Sequence, residues 1–179
     1  MANTYTLISS TTLSSAVSPV DFTSIPGTYT DLILRYSVRN DISTSVDYII
    51  FQFNSDTGTS STLYSLTNLR GNGATASSGR STSTYTGNDS RFNFSTTTAN
   101  TFTSGEIYIP SYTSTGTRVI SSISAFEDNA TTAYTDLSAG QYRGSSAISS
   151  IRINKVGGSG GSASFAAGSS FYLYGIKSS

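Results

Sequence analysis

Phe171-Tyr172-Leu173-Tyr174-Gly175-Ile176 is the stretch on which the fold class turns. Successive side chains of a strand point to opposite faces, so Phe171, Leu173 and Gly175 share one face and Tyr172, Tyr174 and Ile176 the other. Both sets are apolar or aromatic, the pattern expected of a strand covered on both sides. Preceded by Ser164-Phe165-Ala166-Ala167-Gly168-Ser169-Ser170 and lying close to the C-terminus, the stretch reads as the closing strand of a sandwich.

Working outward, short strand-like runs recur and helical periodicity is weak. Thr4 to Ile8 reads as a first strand or arm, and Val20 to Ile25 as a second, stopped by Pro26-Gly27. Tyr29 to Val38 follows, with Leu32, Leu34, Tyr36 and Val38 on one face. The dense run in Val46 to Phe53 reads as a central strand. From Asp56 to Asn100 the texture changes to Ser, Thr, Gly and Asn, with turn signals at Gly71-Asn72-Gly73 and Gly87-Asn88-Asp89. Compact domains rarely carry long structureless loops, so this stretch is expected to be one long ordered excursion. Within it, Leu63, Leu66 and Leu69 are spaced for one or two helical turns, and a short strand is expected around Arg91 to Phe94. Strands resume at Thr103 to Ile109, Arg118 to Phe126 and Ala147 to Val156, with no strand read between Phe126 and Ala147. Gly157-Gly158-Ser159-Gly160-Gly161 then turns into the closing strand. Many short strands with turns between them, and no internal repeat, indicate an all-β antiparallel sandwich or barrel. Residues 1–18 form an N-terminal arm or edge strand, and 19–179 a single β-sandwich domain.

Composition narrows the chemistry. The 179 residues include no cysteine and no histidine, which removes disulfides, thiol nucleophiles, imidazole triads and zinc sites built on either residue. A chain of this size buries roughly 70% of its unfolded surface and needs no such staple. Ten basic and ten acidic residues cancel, and charged residues are only 11% of the chain. That is the wrong footprint for a nucleic-acid binder or an anionic membrane surface. No run approaches the ~20 apolar residues of a membrane helix. No secretory signal is visible in Met1-Ala2-Asn3-Thr4-Tyr5. In place of charge stand 37 Ser and 27 Thr, with 12 Tyr. Tyr, Ser, Gly and Asn give contact area and adaptable hydrogen bonding at low entropic cost.

Three motifs suggest chemistry, and each has a plainer reading. Asp56-Thr57-Gly58 matches the active triplet of aspartic proteases, but a second copy to share the proton is absent, so a turn after Phe53 is preferred. Gly158-Ser159-Gly160 is followed by a strand instead of the helix a dinucleotide site requires. Glu127 and Asp128 are adjacent on a strand, face opposite ways and read as solvated turn residues. A calcium site using Asp41, Asp47, Asp56 or Asp128 stays open, although no ligand loop of defined spacing supports it. No catalytic residue, cofactor or metal ligand is assigned.

Several segments together resemble a family of bacteriophage virion proteins. They are Tyr5 to Leu13, Val20 to Leu32, Leu69-Arg70-Gly71-Asn72-Gly73, Glu106-Ile107-Tyr108-Ile109-Pro110-Ser111-Tyr112 and Phe171 to Lys177. The resemblance implies a jelly-roll sandwich, homotrimeric and non-enzymatic. Such proteins serve as capsid cement or decoration proteins on the major capsid protein lattice at the phage head surface, or as tail-fibre modules. A start at Met1 with no fibrous stretch before the sandwich favours the capsid role. The alternative is a receptor-binding or carbohydrate-binding tail module using Tyr and Asn of the Asp56 to Asn100 excursion on a glycan. Tyr5, Leu7, Ile8 and Leu13 of the arm, with Tyr172 and Tyr174 of the closing strand, are the expected capsid or subunit contacts. An arm of this kind adds a strand to a neighbour, and repetition in a trimer adds avidity.

Overall fold

The computed structural model describes residues 4–43, 48–56, 62–84, 90–128, 133–156 and 164–177. They form twelve strands: β1 (Tyr5–Thr12), β2 (Val20–Phe22), β3 (Asp31–Val38), β4 (Tyr48–Phe53), β5 (Tyr64–Gly71), β6 (Ala76–Thr84), β7 (Ser90–Arg91), β8 (Thr103–Ile109), β9 (Arg118–Glu127), β10 (Ala133–Tyr142), β11 (Ile151–Val156) and β12 (Ser170–Ile176). Two antiparallel sheets result, one of eight strands ordered β1-β12-β3-β8-β9-β10-β5-β6 and one of four ordered β2-β11-β4-β7. Setting aside β1, β12 and the β9–β10 hairpin leaves β2-β11-β4-β7 and β3-β8-β5-β6, with every link except β5–β6 changing sheet. That is the strand order of an eight-strand jelly roll. The β9–β10 hairpin is inserted between β8 and β5, and β12 and β1 widen the sheet beyond β3.

The core lies between the sheets and follows the alternation of the sequence. β3 sends Leu32, Leu34, Tyr36 and Val38 inward, and β4 answers with Ile49, Phe51 and Phe53. Rings from the two layers meet, Tyr36 with Phe51 at 5.8 Å and Phe53 with Tyr142 at 5.1 Å between centroids. Tyr64 stacks on Tyr142, and its buried hydroxyl accepts the Phe53 N–H at 3.0 Å. On β12, Phe171 and Leu173 join this core. Gly175 shares their face and can carry no side chain, because a Cβ there would lie 2.3 Å from Cγ of Tyr29, whose ring occupies the space.

Four expectations are corrected. The outward face of β12 is not covered: Tyr172 is exposed and Tyr174 and Ile176 are only partly buried, because no described residue forms a third layer there. Leu63, Leu66 and Leu69 do not sit on a helical turn. Leu66 and Leu69 lie on β5, which hydrogen-bonds to β10 on one side and β6 on the other, so Leu66 turns inward and Leu69 outward. The strand expected from Ala147 begins only at Ile151; before it, Ile148 N–H is held by Tyr112 and Ser149 N–H by the Asn54 side chain. Residues 133–142 form the strand β10. The Asp56 to Asn100 stretch is ordered where described, as the β5–β6 hairpin at the edge of the larger sheet and β7 in the smaller.

The core tyrosines set one pH limit. Burial pushes the phenol pKa values of Tyr36, Tyr64, Tyr112 and Tyr142 above their ordinary value. A folded pKa above the unfolded one means the native state holds the proton more tightly, so stability falls as pH rises past about 10. With no histidine or cysteine, no side chain of ordinary pKa titrates between pH 6 and 9. The thermal midpoint is therefore expected to be flat across that range and to drop steeply above about pH 10, which a calorimetric pH series checks.

Candidate functional site: the outer face of the larger sheet

Pairing register places one outward residue from each of the eight strands in a single row: Ser10, Tyr172, Arg35, Glu106, Ile123, Leu137, Leu69 and Ser78. The adjacent row runs Leu7, Tyr174, Ile33, Tyr108, Ser121, Ala139, Thr67 and Arg80. Directly opposed side chains on one face are close neighbours, so apolar members form continuous patches. Of the eight exposed large hydrophobics among the described residues, seven lie on this face: Tyr5, Leu7, Leu69, Val119, Ile123, Leu137 and Tyr172. Several are about half exposed, among them Tyr5 at 53%, Ile123 at 53% and Val119 at 59%. Ile123, Leu137 and Leu69 are directly opposed neighbours in this set, which makes the face a candidate interaction surface.

Charge is sparse on the face. Nε of Arg35 donates to Glu106 at 2.7 Å, and the carboxylate raises the guanidinium pKa from its ordinary value. Both side chains are solvated, so the pair contributes little more than about 0–1 kcal/mol. Beside this row, the small side chains of Ser170, Ser37, Ser104, Ala125 and Thr135 leave a groove of about 460 Å³ bordered by Tyr172 and Ile123. It is a shallow seat for a protruding side chain.

The sequence-predicted contacts divide. Tyr5 faces Ile176 and Leu7 faces Tyr174 across the β1–β12 ladder, so Tyr5, Leu7, Tyr172 and Tyr174 share the outer face. Ile8 lies at an irregularity in that ladder and, like Leu13, is partly buried against the core. β1 is paired along its length as an edge strand. Ile123, Leu137, Leu69 and Val119 escaped the sequence reading. On β9 and β10 the signal was Ile123-Ser124-Ala125 and Leu137-Ser138-Ala139, apolar residues spaced by two with Ser between them.

The chemical motifs come apart in the fold. Asp56 N–H closes a turn on Phe53 O at 3.1 Å, and Thr57 and Gly58 lie outside the described residues, as does Gly158-Ser159-Gly160. Glu127 is exposed, but Asp128, expected to be solvated, is buried. It continues the inward phase of Arg118, Ile120, Ser122, Ser124 and Phe126 on β9, which carries it beneath the sheet. Among the described residues no three His, Cys, Asp or Glu cluster closely enough to hold a metal ion. Compared with protein-family models, curated proteins and solved structures, the chain has no match.

Proposed function

We propose that the chain is a non-enzymatic phage virion structural protein, a capsid cement or decoration protein that binds the major capsid protein lattice as a homotrimer and stabilises the head. The observation that carries this reading is the outer face of the eight-stranded sheet, which gathers seven exposed large apolar side chains on one side. A lattice-binding protein requires a rigid scaffold presenting contact area, and a doubly hydrogen-bonded sheet presents these side chains on fixed backbone. The sequence resemblance to phage virion proteins supplies the partner. Hydrophobic area at the centre of the face, where Ile123, Leu137 and Leu69 oppose one another, predicts assembly that varies little with salt.

Imaging of the intact virion tests the location: density on capsid pseudo-threefolds supports the reading, and density confined to the tail sinks it. A second test uses Ile123→Glu with Leu137→Glu, which oppose each other at the centre of the face. Exposed positions tolerate such changes within roughly 0.5 kcal/mol each. Assembly or capsid binding is expected to weaken at least 30-fold, the equivalent of losing one hot spot of about 2 kcal/mol. Light scattering and capsid pull-down read the outcome, and unchanged assembly would remove the outer face from the interface.

A further inference from the structure

The larger sheet extends past the smaller one, and its inner face changes character there. Directly opposed inward residues run Phe171, Tyr36, Gly105, Ser124, Asp136, Arg70 and Ser77 from β12 to β6. The row is aromatic where Tyr36 meets Phe51 of the smaller sheet and polar from β9 onward. β7, the last strand of the smaller sheet, packs on β9 and β10 and leaves β5 and β6 to overhang. At this step lies a pocket of about 270 Å³ lined by Arg70, Asn72, Thr75, Ser77, Arg91 and Tyr134.

The pocket carries positive charge in excess. Arg70 and Arg91 supply two guanidinium groups, and among the described residues only Arg70 has an ion-pair partner, the buried Asp136. The Arg91 guanidinium carbon lies 4.1 Å from the centroid of the Tyr134 ring. Its Nε is buried with no hydrogen-bond partner, and among the described residues no carboxylate pairs with it. A guanidinium held over an aromatic ring can still offer its terminal N–H groups to a carboxylate.

The opposite wall is made of neutral donors. Asn72 Oδ1 accepts the N–H groups of Ala74 at 3.1 Å and Thr75 at 2.7 Å, and the Thr75 hydroxyl at 3.1 Å. With its oxygen engaged inside the turn, Asn72 has its amide N–H₂ left to donate, beside the exposed Ser77. A bare oxyanion would use the arginine wall and leave the other idle. A ligand carrying a carboxylate and adjacent hydroxyls uses both.

We infer that this pocket binds an acidic saccharide of the hexuronate class, its carboxylate on Arg91 and its ring hydroxyls on Asn72 and Ser77. The pocket lies on the inner side of the sheet, so it stands or falls separately from the outer-face interface. Calorimetric titration of the full chain uses trigalacturonate as the probe, with neutral galactotriose and inorganic phosphate as comparators. Trigalacturonate is expected to bind saturably and to lose at least tenfold in affinity in Arg91→Gln. Ser77→Asp should produce a similar loss; the residue is exposed on the edge strand β6, so this variant keeps the test valid if Arg91→Gln misfolds. Arg152→Gln on β11 of the smaller sheet should leave binding unchanged. Equal affinity for galactotriose or for phosphate overturns the saccharide assignment, and so does absence of trigalacturonate binding or full affinity in Ser77→Asp.

Discussion

Asp136→Ala is expected to lower the folding free energy by about 3–5 kcal/mol, the cost of breaking a buried ion pair from one side. Asp136 is 1% exposed on β10, in the polar part of the inner face. One carboxylate oxygen accepts Nε of Arg70, and the other accepts the backbone N–H of Arg91 at 3.0 Å. Truncation takes the Asp136 carboxylate away from the Arg70 guanidinium, whose side chain is only 13% exposed. It also strands a backbone donor where β7 meets β10. A domain of this kind has about 5–15 kcal/mol of stability in all, so the loss is a large fraction of the total. Asp136→Leu combined with Arg70→Met should cost less than the two single changes added together, because no unpaired charge remains. Urea unfolding followed by tyrosine fluorescence measures both, the chain having no tryptophan. A single-variant loss below about 1 kcal/mol would mean that water reaches the pair and that the overhang is less enclosed than its burial indicates.

The parts of this fold legible in the sequence were those where inward positions are apolar. Leu32, Leu34, Tyr36 and Val38 on β3, and the Tyr48–Phe53 run on β4, announce themselves because the hydrophobic effect places them between the layers. β10 left no such trace. Its buried positions are Asp136, Ser138, Gly140 and Tyr142, while Leu137 points out, so the apolar signal is in the wrong phase. β5 misled for a related reason: leucines three apart suit a helix face, but here they stand on opposite faces of a strand paired on both sides. Pairing partners distant in sequence decide such cases, and spacing alone does not reveal them.

The outer face shows the same limit. Tyr172 and Tyr174 were legible as an apolar set, but their own strand could not show whether a third layer covered them. Ile123 and Leu137 joined them only through the register of β9 and β10. The low charge content also takes on meaning only in three dimensions. Arg39 donates to the carbonyls of Ser95, Thr97, Thr98 and Thr101, shaping a loop rich in Thr, and Arg70 is locked to Asp136. Several of the few charges act as internal struts, which leaves the interaction face nearly neutral.

Arg118 is the strongest of these struts, and Arg118→Met is expected to cost about 4 kcal/mol. The residue is the first of β9, 2% exposed, with its guanidinium 4.7 Å from the Tyr142 ring centroid. Nη1 donates to the carbonyls of Ser114 and Gly116, and Nη2 to those of Gly144 at 2.8 Å and Ser146 at 3.0 Å. One planar group thus ties the connection after β8 to the connection after β10. Each hydrogen bond to a charged donor contributes about 1.5–3 kcal/mol, but the four share one side chain and some carbonyls regain water when it goes, so the sum is not reached. Methionine preserves the packing of the stem, which isolates the polar loss. Arg118→Lys keeps the charge but replaces a flat fork with a point donor, so it should recover less than half of the stability. Burial lowers the Arg118 pKa from its ordinary value, the cost of holding a charged group between the sheets. Full recovery by lysine in a urea titration would show that charge alone suffices there, and that the four-carbonyl geometry is incidental to holding the two connections together.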